Sequence, residues 1–371
     1  MVIRDTAYSV FGADVFSDDV MQQRLAPDVY ASLRRTIEEG GGLAFETAEA
    51  VAEAMMEWAI EKGATHYTHW FQPMTGATAE KRDTFLSFSE LDKAPIPGFS
   101  AKALIKGEAD GSSFPTGGLR VTFEARGYTT WDCTSPAFVK RDANGVGCLC
   151  IPTAFCSFSG DALDEKTPLL RSMEAVSKQA VRVLRLLGDD KTKRVIATVG
   201  AEQEYFLIDK RAFNRRKDLV YTGRTLFGTP PAKGQELSDQ YYAATPDRVI
   251  RFMHELNDAL WRMGVPCKTE HNEVAPSQYE LAPVFVSCNL AVDHNQIVME
   301  MMRRVADRNG MTCLLHEKPF ANINGSGKHN NWSLSTDGGR NLLKPGKDEA
   351  SNREFFTFLV ATVAAVDEYA D

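Results

Sequence analysis

A chain of 371 residues exceeds the roughly 100–200 residues usual for one domain, so two domains are expected. Hydrophobic residues make up 43% and charged residues 25%, enough apolar surface to bury a core and too much for a disordered chain. The net charge of −8 carries none of the basic footprint of a nucleic-acid partner, so an anionic substrate has to be selected by local groups. No apolar run is long enough for a signal peptide or a membrane span, and the cytoplasm is the expected compartment. The cysteines, Cys133, Cys148, Cys150, Cys156, Cys267, Cys288 and Cys313, include no CxxC pair and read as reduced thiols.

In chain order, AFETAEAVAEAMMEWAIEK (44–62) predicts a helix that buries Val51, Met55, Trp58 and Ala59 and is closed by Gly63. HYTHWFQPMTG (66–76) follows. Its aromatic company and Pro73 predict a packed, strand-like turn region rather than a metal pair at His66 and His69. Short β-rich runs at 85–88, 119–123, 138–140 and 146–151, separated by Gly, Pro, Asp and Asn, predict a small, mostly antiparallel unit. Within it, EADGSSFPTGG (108–118) places Asp110 in a turn of small polar residues.

The second half opens with a predicted helix at 172–187, capped by Ser172 and closed by Gly188. RVIATVGAEQEYFLID (194–209) then reads as one strand, in which Glu202 and Glu204 project from the same face. Residues 209–240 read as a loop carrying several Lys and Arg. The cleanest helix is predicted at 245–263, with Thr245 as N-cap, Pro246 in the first turn and Gly264 at the end. Further helices are expected at 289–309, closed by Gly310, and at 351–371, capped by Ser351.

Between the first two of these last helices lies HNEVAPSQYELAPVF (271–285). Buried carboxylates are costly unless cations or donors compensate them, so Glu273 and Glu280 among apolar neighbours point to a bound metal. They are seven positions apart and would face opposite ways on one continuous strand. A reversal at Pro276 and Ser277 turns both inward, which predicts a hairpin. Glu202 and Glu204 supply a second acidic pair. NINGSGKHNNWSL (322–334) adds Gly325 and Gly327, where backbone N–H groups can approach an anion, and His329, which can ligate a metal.

Each motif alone is weak, but their order is specific. EQEYFL, HNEVAPSQYE and NINGSGKHNNWSL, preceded by ADGSS, resemble glutamine synthetase. HYTHWFQPMTGATAEK, SSFPTGGLR and FEARGYTTWD resemble its long-chain type III form. The resemblance covers essentially the whole chain. It implies an α+β fold: an N-terminal helical extension over 1–63, a β-grasp domain over 64–160, and a glutamine-synthetase catalytic α/β domain over 161–371, truncated on its C-terminal side. It also implies active sites shared between subunits, and stacked rings forming a dodecamer.

By the same resemblance, Glu204, Glu273 and Glu280 hold one divalent ion, Mg²⁺ or Mn²⁺, and Glu202 with His329 holds another. Asn324 and Gly325 match glutamate-binding positions, with Ser113 near the substrate. Phe285, Asn331 and Ser333 match the ATP pocket, although Asn331 stands where many relatives carry histidine. Asp110 matches the aspartate that binds and deprotonates ammonium, and Glu273 is also a catalytic position. The expected reaction is ATP-dependent ligation of ammonium to glutamate. The last segment runs to the terminus with no stop signal, so the second metal site is expected to be incomplete. The alternatives are a ligase joining glutamate to another amine, a non-catalytic truncated chain, and an assembly or regulatory partner of a complete synthetase.

Overall fold

The computed structural model describes residues 7–74, 77–88, 94–109 and 127–370. Asp110, Ser113 and the strand expected at 119–123 lie outside these residues. The chain divides into two compact units, Met1–Pro168 with Asn257–Val265, and Leu169–Leu256 with Pro266–Asp371.

The strands of the first unit are β1 (Ala64–Met74), β2 (Ala77–Thr84), β3 (Leu86–Ser87), β4 (Ile96–Pro97), β5 (Lys106–Ala109), β6 (Gly127–Trp131), β7 (Phe138–Arg141) and β8 (Gly147–Ser157). A mixed sheet runs β2-β1-β8-β6-β5, with β7 also on β8. The β1–β8 pair is parallel and the other pairs are antiparallel. The helix Phe45–Glu61 buries Val51, Met55, Trp58 and Ala59 in a cluster with Leu33, Leu149 and Ile151. Gly63 at φ 81° ends it in a conformation that only glycine adopts cheaply.

His69 lies on β1 with both ring nitrogens engaged, Nδ1 with Thr129 Oγ1 at 2.6 Å and Nε2 with the Ala103 carbonyl at 2.7 Å. Burial lowers its pKa. A ring used on both sides has no free nitrogen for a metal. None of the seven cysteines, all among the described residues, is in a disulfide.

The strands of the second unit are β9 (Val195–Ala201), β10 (Gln203–Asp209), β11 (Cys267–Asn272), β12 (Gln278–Pro283), β13 (Val286–Ser287), β14 (Met311–Leu314) and β15 (Asn330–Thr336). They form two antiparallel sheets, ordered β11-β12-β10-β14 and β13-β9-β15. The continuous strand expected over 194–209 is therefore two. The chain leaves one sheet after Ala201 and joins the other at Gln203, which frees Glu202 from both ladders.

Three helix boundaries also differ from expectation. The helix expected at 172 begins at Lys166, because Asp164 Oδ1 accepts the Thr167 N–H at 2.9 Å and Pro168 is tolerated in a first turn. Ser172 lies inside it and hydrogen-bonds the Leu169 carbonyl. In the helix Asp247–Arg262, Thr245 does not cap; its hydroxyl donates to Asn272 Oδ1 at 2.9 Å. The last helix, Glu349–Glu368, is capped by Asp348, with Ser351 completing a reciprocal capping box. The loop expected over 209–240 contains short helices at Lys210–Asn214 and Lys217–Thr222.

The helix Cys288–Arg308 leads into β14 through Gly310, at φ 66°. Leu184, Val195, Ala197, Leu334 and Phe358 form one core cluster, and Phe206, Leu219, Ala275 and Leu314 another.

Candidate active site

The β11–β12 hairpin fixes the site. Its turn closes with the Glu273 N–H on the Gln278 carbonyl at 2.9 Å and places Ser277 at φ 64°. That closure sets the register, so His271 stands opposite Glu280. On its other side β12 pairs with β10, and there Glu280 stands opposite Glu204. Three titratable side chains thus lie in a row across three strands, with Glu280 in the middle. Two carboxylates directly opposite each other destabilise a sheet, and both are buried, Glu204 at 5% and Glu280 at 7% exposure. Compensation is required.

Protein donors supply part of it. Glu204 Oε2 accepts from Gln278 Nε2 and from the Gly327 N–H, each at 2.9 Å. Glu280 Oε2 lies 2.7 Å from His271 Nε2, while His271 Nδ1 donates to the Asn272 carbonyl at 2.8 Å. Burial raises the Glu280 pKa, reinforced by the charge of Glu202. Burial also pulls His271 down, but the Asn272 carbonyl, Glu280 and Glu273 outweigh it and the pKa is raised.

The second acidic pair closes the arrangement. Glu202, between the two sheets, lies 3.3 Å from His329 Nδ1, and Glu204 Oε1 lies 3.8 Å from the same nitrogen. Two groups of donors converge within 4.8 Å, Glu202 with Glu280 and His329, and His271 with Glu273 and Glu280. Glu280 belongs to both. An oxygen-rich donor set with one or two imidazoles suits a hard divalent cation such as Mg²⁺ or Mn²⁺.

Of the five acidic and imidazole ligands expected from sequence, Glu202, Glu273, Glu280 and His329 fall within the two donor groups, and Glu204 stands beside them, opposite Glu280 and 3.8 Å from His329 Nδ1. Sequence had set Glu204 with Glu273 and Glu280, and Glu202 with His329 alone. Here Glu280 reaches Glu202 and His329, and His271 joins Glu273. His271 was missed as a candidate. Counting back from the turn would have found it, because the Glu273–Gln278 closure makes 271 the partner of 280.

The glycine loop lies against these carboxylates. A Cβ on Gly327 would sit 3.0 Å from His329 Nε2 and 3.1 Å from Glu204 Oε1, and one on Gly325 would sit 2.5 Å from the Glu317 carbonyl. Neither glycine has positive φ, so close approach is what demands them. The Asn324 N–H donates to Gln235 Oε1. Asn331 Nδ2 donates to Glu202 Oε1 at 2.7 Å, Ser333 Oγ to Asn341 Oδ1 at 2.8 Å, and Phe285 is 62% exposed. Tyr241, in a segment that sequence gave no role, packs edge-on against the His271 ring at 5.6 Å.

Comparison with known proteins places the chain in a family. Residues 178–365 match the glutamine synthetase catalytic domain, and residues 7–172 match the glutamine synthetase type III N-terminal model. The chain belongs to the glutamine synthetase family, in its type III branch. It is 51% identical to a type-3 glutamine synthetase of Dictyostelium discoideum, over 99% of this chain and 50% of that protein. It is 50% identical to a glutamine synthetase of Bacteroides fragilis (strain YCH46), over 97% of this chain and 49% of that one. The chain thus spans about half the length of these relatives.

Solved structures share the fold. A Plasmodium falciparum glutamine synthetase studied by cryo-electron microscopy matches with a TM-score of 0.55 at 17% identity, over 80% of this chain and 56% of that one. A structure titled GmaS/ADP complex matches at 0.54 and 18%, over 80% and 58%. The α+β class with a glutamine-synthetase catalytic fold is as the sequence implied.

Proposed function

We propose that this chain carries the metal and phosphate-transfer side of a glutamine synthetase, acting in ATP-dependent ligation of ammonium to the γ-carboxylate of glutamate. The observation that carries this reading is the row Glu204–Glu280–His271, whose buried central Glu280 belongs to two converging donor groups and which a glycine loop walls on the Glu204 side. Amide formation from a carboxylate needs a better leaving group than oxide. The γ-carboxylate oxygen attacks the γ-phosphorus of ATP and ADP departs. Ammonia then attacks the carbonyl carbon of γ-glutamyl phosphate and inorganic phosphate departs.

Two divalent cations, Mg²⁺ or Mn²⁺, neutralise the charge between the reacting anions when bound. Glu202, Glu204, Glu273, Glu280, His271 and His329 would hold them. Asn324 and Gly325 receive glutamate and Phe285 offers its exposed ring to the nucleotide base. Asn331 and Ser333 line the same pocket from β15, and Asn331 also orients Glu202. Asp110 attracts ammonium and accepts its proton, and Ser113 serves the substrate.

For the first unit, the parallel β1–β8 pair at the centre of the mixed sheet supports a β-grasp reading over 64–160. Residues 1–63 are then a helical extension and 161–371 the catalytic domain. We also read the protein as a cytoplasmic homo-oligomer of stacked rings, a dodecamer, with sites shared between neighbours. The cysteines, none of them in a disulfide, support the compartment. Among the described residues no helix is long and apolar enough to cross a membrane.

The test is phosphate release from ATP by the chain, with glutamate, ammonium and Mg²⁺, alongside a Mn²⁺ titration. Release that needs all three substrates and is lost in Glu273→Gln and Asp110→Ala supports the reading. Mn²⁺ binding without ammonium-dependent release would overturn the ligase reading for this chain. Absence of Mn²⁺ binding would overturn the metal site.

A further inference from the structure

Gln278 touches the acidic row, the glycine loop and the hairpin turn together. It is fully buried, at 0% exposure. Its Nε2 donates to Glu204 Oε2 at 2.9 Å and to the Gly325 carbonyl at 2.8 Å, and its Oε1 accepts the Ala275 N–H at 3.2 Å. One planar amide therefore fixes a carboxylate, a loop and a turn relative to one another.

The two oxygens of Glu204 are not equivalent. Oε2 is filled by Gln278 and by the Gly327 N–H. Oε1 faces His329. A cation approaching this residue is therefore met by Oε1, while Oε2 holds the loop. The loop has other ties to the same residues, the Glu204 N–H to the Gly327 carbonyl at 3.2 Å and the Ser326 N–H to the Glu317 carbonyl at 2.7 Å. Even a Cβ on Gly327 would come within 3.1 Å of Glu204 Oε1, so a shift of the carboxylate on cation binding is transmitted to the loop that packs against it.

We propose that Gln278 is a positioning residue that couples cation binding at Glu204 to the order of the glycine loop at Asn324–Gly327. The proposal deepens the metal reading given above and rests on it. Through the shared amide, a cation that fixes the carboxylate also fixes the Gly325 carbonyl, and a loop ordered by its ligand in turn raises cation affinity, since coupling between sites is reciprocal. Removing the amide leaves Gly325 without this donor and Glu204 Oε2 with one donor fewer. Loss of such an outer partner weakens metal binding by roughly 10–100-fold.

The experiment compares the unsubstituted chain with Gln278→Met, which keeps side-chain length and removes both N–H donors, and with Gln278→Leu, which removes them with a shorter apolar side chain. Mn²⁺ affinity is read by electron paramagnetic resonance, and amide exchange of peptides spanning 319–331 by mass spectrometry, without Mn²⁺ and at saturation. In the unsubstituted chain, saturating Mn²⁺ is expected to slow loop exchange by about tenfold or more, given the coupling range of known linked sites. In the variants, Mn²⁺ binds roughly 10–100-fold more weakly, and saturation leaves loop exchange unchanged.

Mn²⁺ that binds the unsubstituted chain and does not slow the loop overturns the coupling, as does a variant that retains both affinity and loop protection. If neither variant folds, Gln278 serves the fold and the coupling is likewise overturned. Failure of the unsubstituted chain to bind Mn²⁺ at all is a distinct result, and it overturns the metal reading itself.

Discussion

Replacing Gly325 by alanine tests whether the glycine loop is held by close contact rather than by backbone conformation. Gly325 has no positive φ, so alanine meets no backbone strain, but its Cβ would lie 2.5 Å from the Glu317 carbonyl oxygen and 3.3 Å from Lys318 Cδ. The oxygen is backbone, and the Ser326 N–H holds it at 2.7 Å, so the loop has to move by about half an ångström or more. Overpacking of this kind costs roughly 1–3 kcal/mol. The shift also strains the Gln278–Gly325 hydrogen bond, worth about 1 kcal/mol. A loss of about 2–4 kcal/mol in urea unfolding is expected, with weaker Mn²⁺ binding, because Gly327 and Glu204 move with the loop. Gly339→Ala is the control. There the φ of 82° is unfavourable for alanine but nothing lies within 4 Å, and the expected cost is the roughly 1–2 kcal/mol of a left-handed residue with Mn²⁺ binding intact. A Gly325→Ala protein as stable as the parent, or one that binds Mn²⁺ equally well, would refute the reasoning.

Glu280 belongs to both donor groups, so Glu280→Gln is expected to remove the Mn²⁺-dependent rise in thermal midpoint, which at a hundredfold excess over Kd corresponds to about 2.7 kcal/mol; calorimetry with and without Mn²⁺ reads it. His294 is buried and its pKa is depressed to about 4 by that burial. Its folded pKa lies below the ordinary 6.5, so the unfolded chain binds the proton first. The stability it contributes is full above pH 6.5 and falls as pH drops towards 4, by about 2 kcal/mol between pH 7 and 5. Urea unfolding of the parent against His294→Leu isolates this slope, and equal slopes would exclude it. Leu184→Ala, at a site with 0% exposure in the cluster with Val195, Leu334 and Phe358, is expected to cost about 2–5 kcal/mol with Mn²⁺ affinity unchanged.

Local signals carried the helix Phe45–Glu61, closed by Gly63, and the hairpin around Pro276 and Ser277, because amphipathic spacing, a C′ glycine and a turn pair are each decided within a few residues. The break at Glu202 was not legible. The run Thr198–Leu207 reads as one strand-forming stretch, and Gly200 alone does not say that the chain changes sheets; what ends β9 and begins β10 is the presence of β15 on one side and β12 and β14 on the other. The start of the helix at Lys166 was hidden for a related reason. Pro168 and Ser172 both look like start signals, and only the hydrogen bond from the Thr167 N–H to Asp164 decides between them.

The same distinction separates the site residues that sequence named from those it passed over. Glu202, Glu204, Glu273 and Glu280 stand out because a carboxylate beside apolar residues is chemically anomalous on its own, and His329 because it ends a glycine-rich loop in a recognisable motif. Gln278 and Gln235 are not anomalous, and their roles appear only when the register sets one beside Glu204 and the fold sets the other beside Asn324. His271 lies between these cases. Its chemistry is conspicuous, but its partnership with Glu280 depends on which residues close the turn. Had the chain reversed one residue earlier or later, every side chain of β12 would have faced the other way, and Glu280 would have met neither His271 nor Glu204. The acidic centre is therefore specified as much by the length of the turn between Glu273 and Gln278 as by the acids themselves.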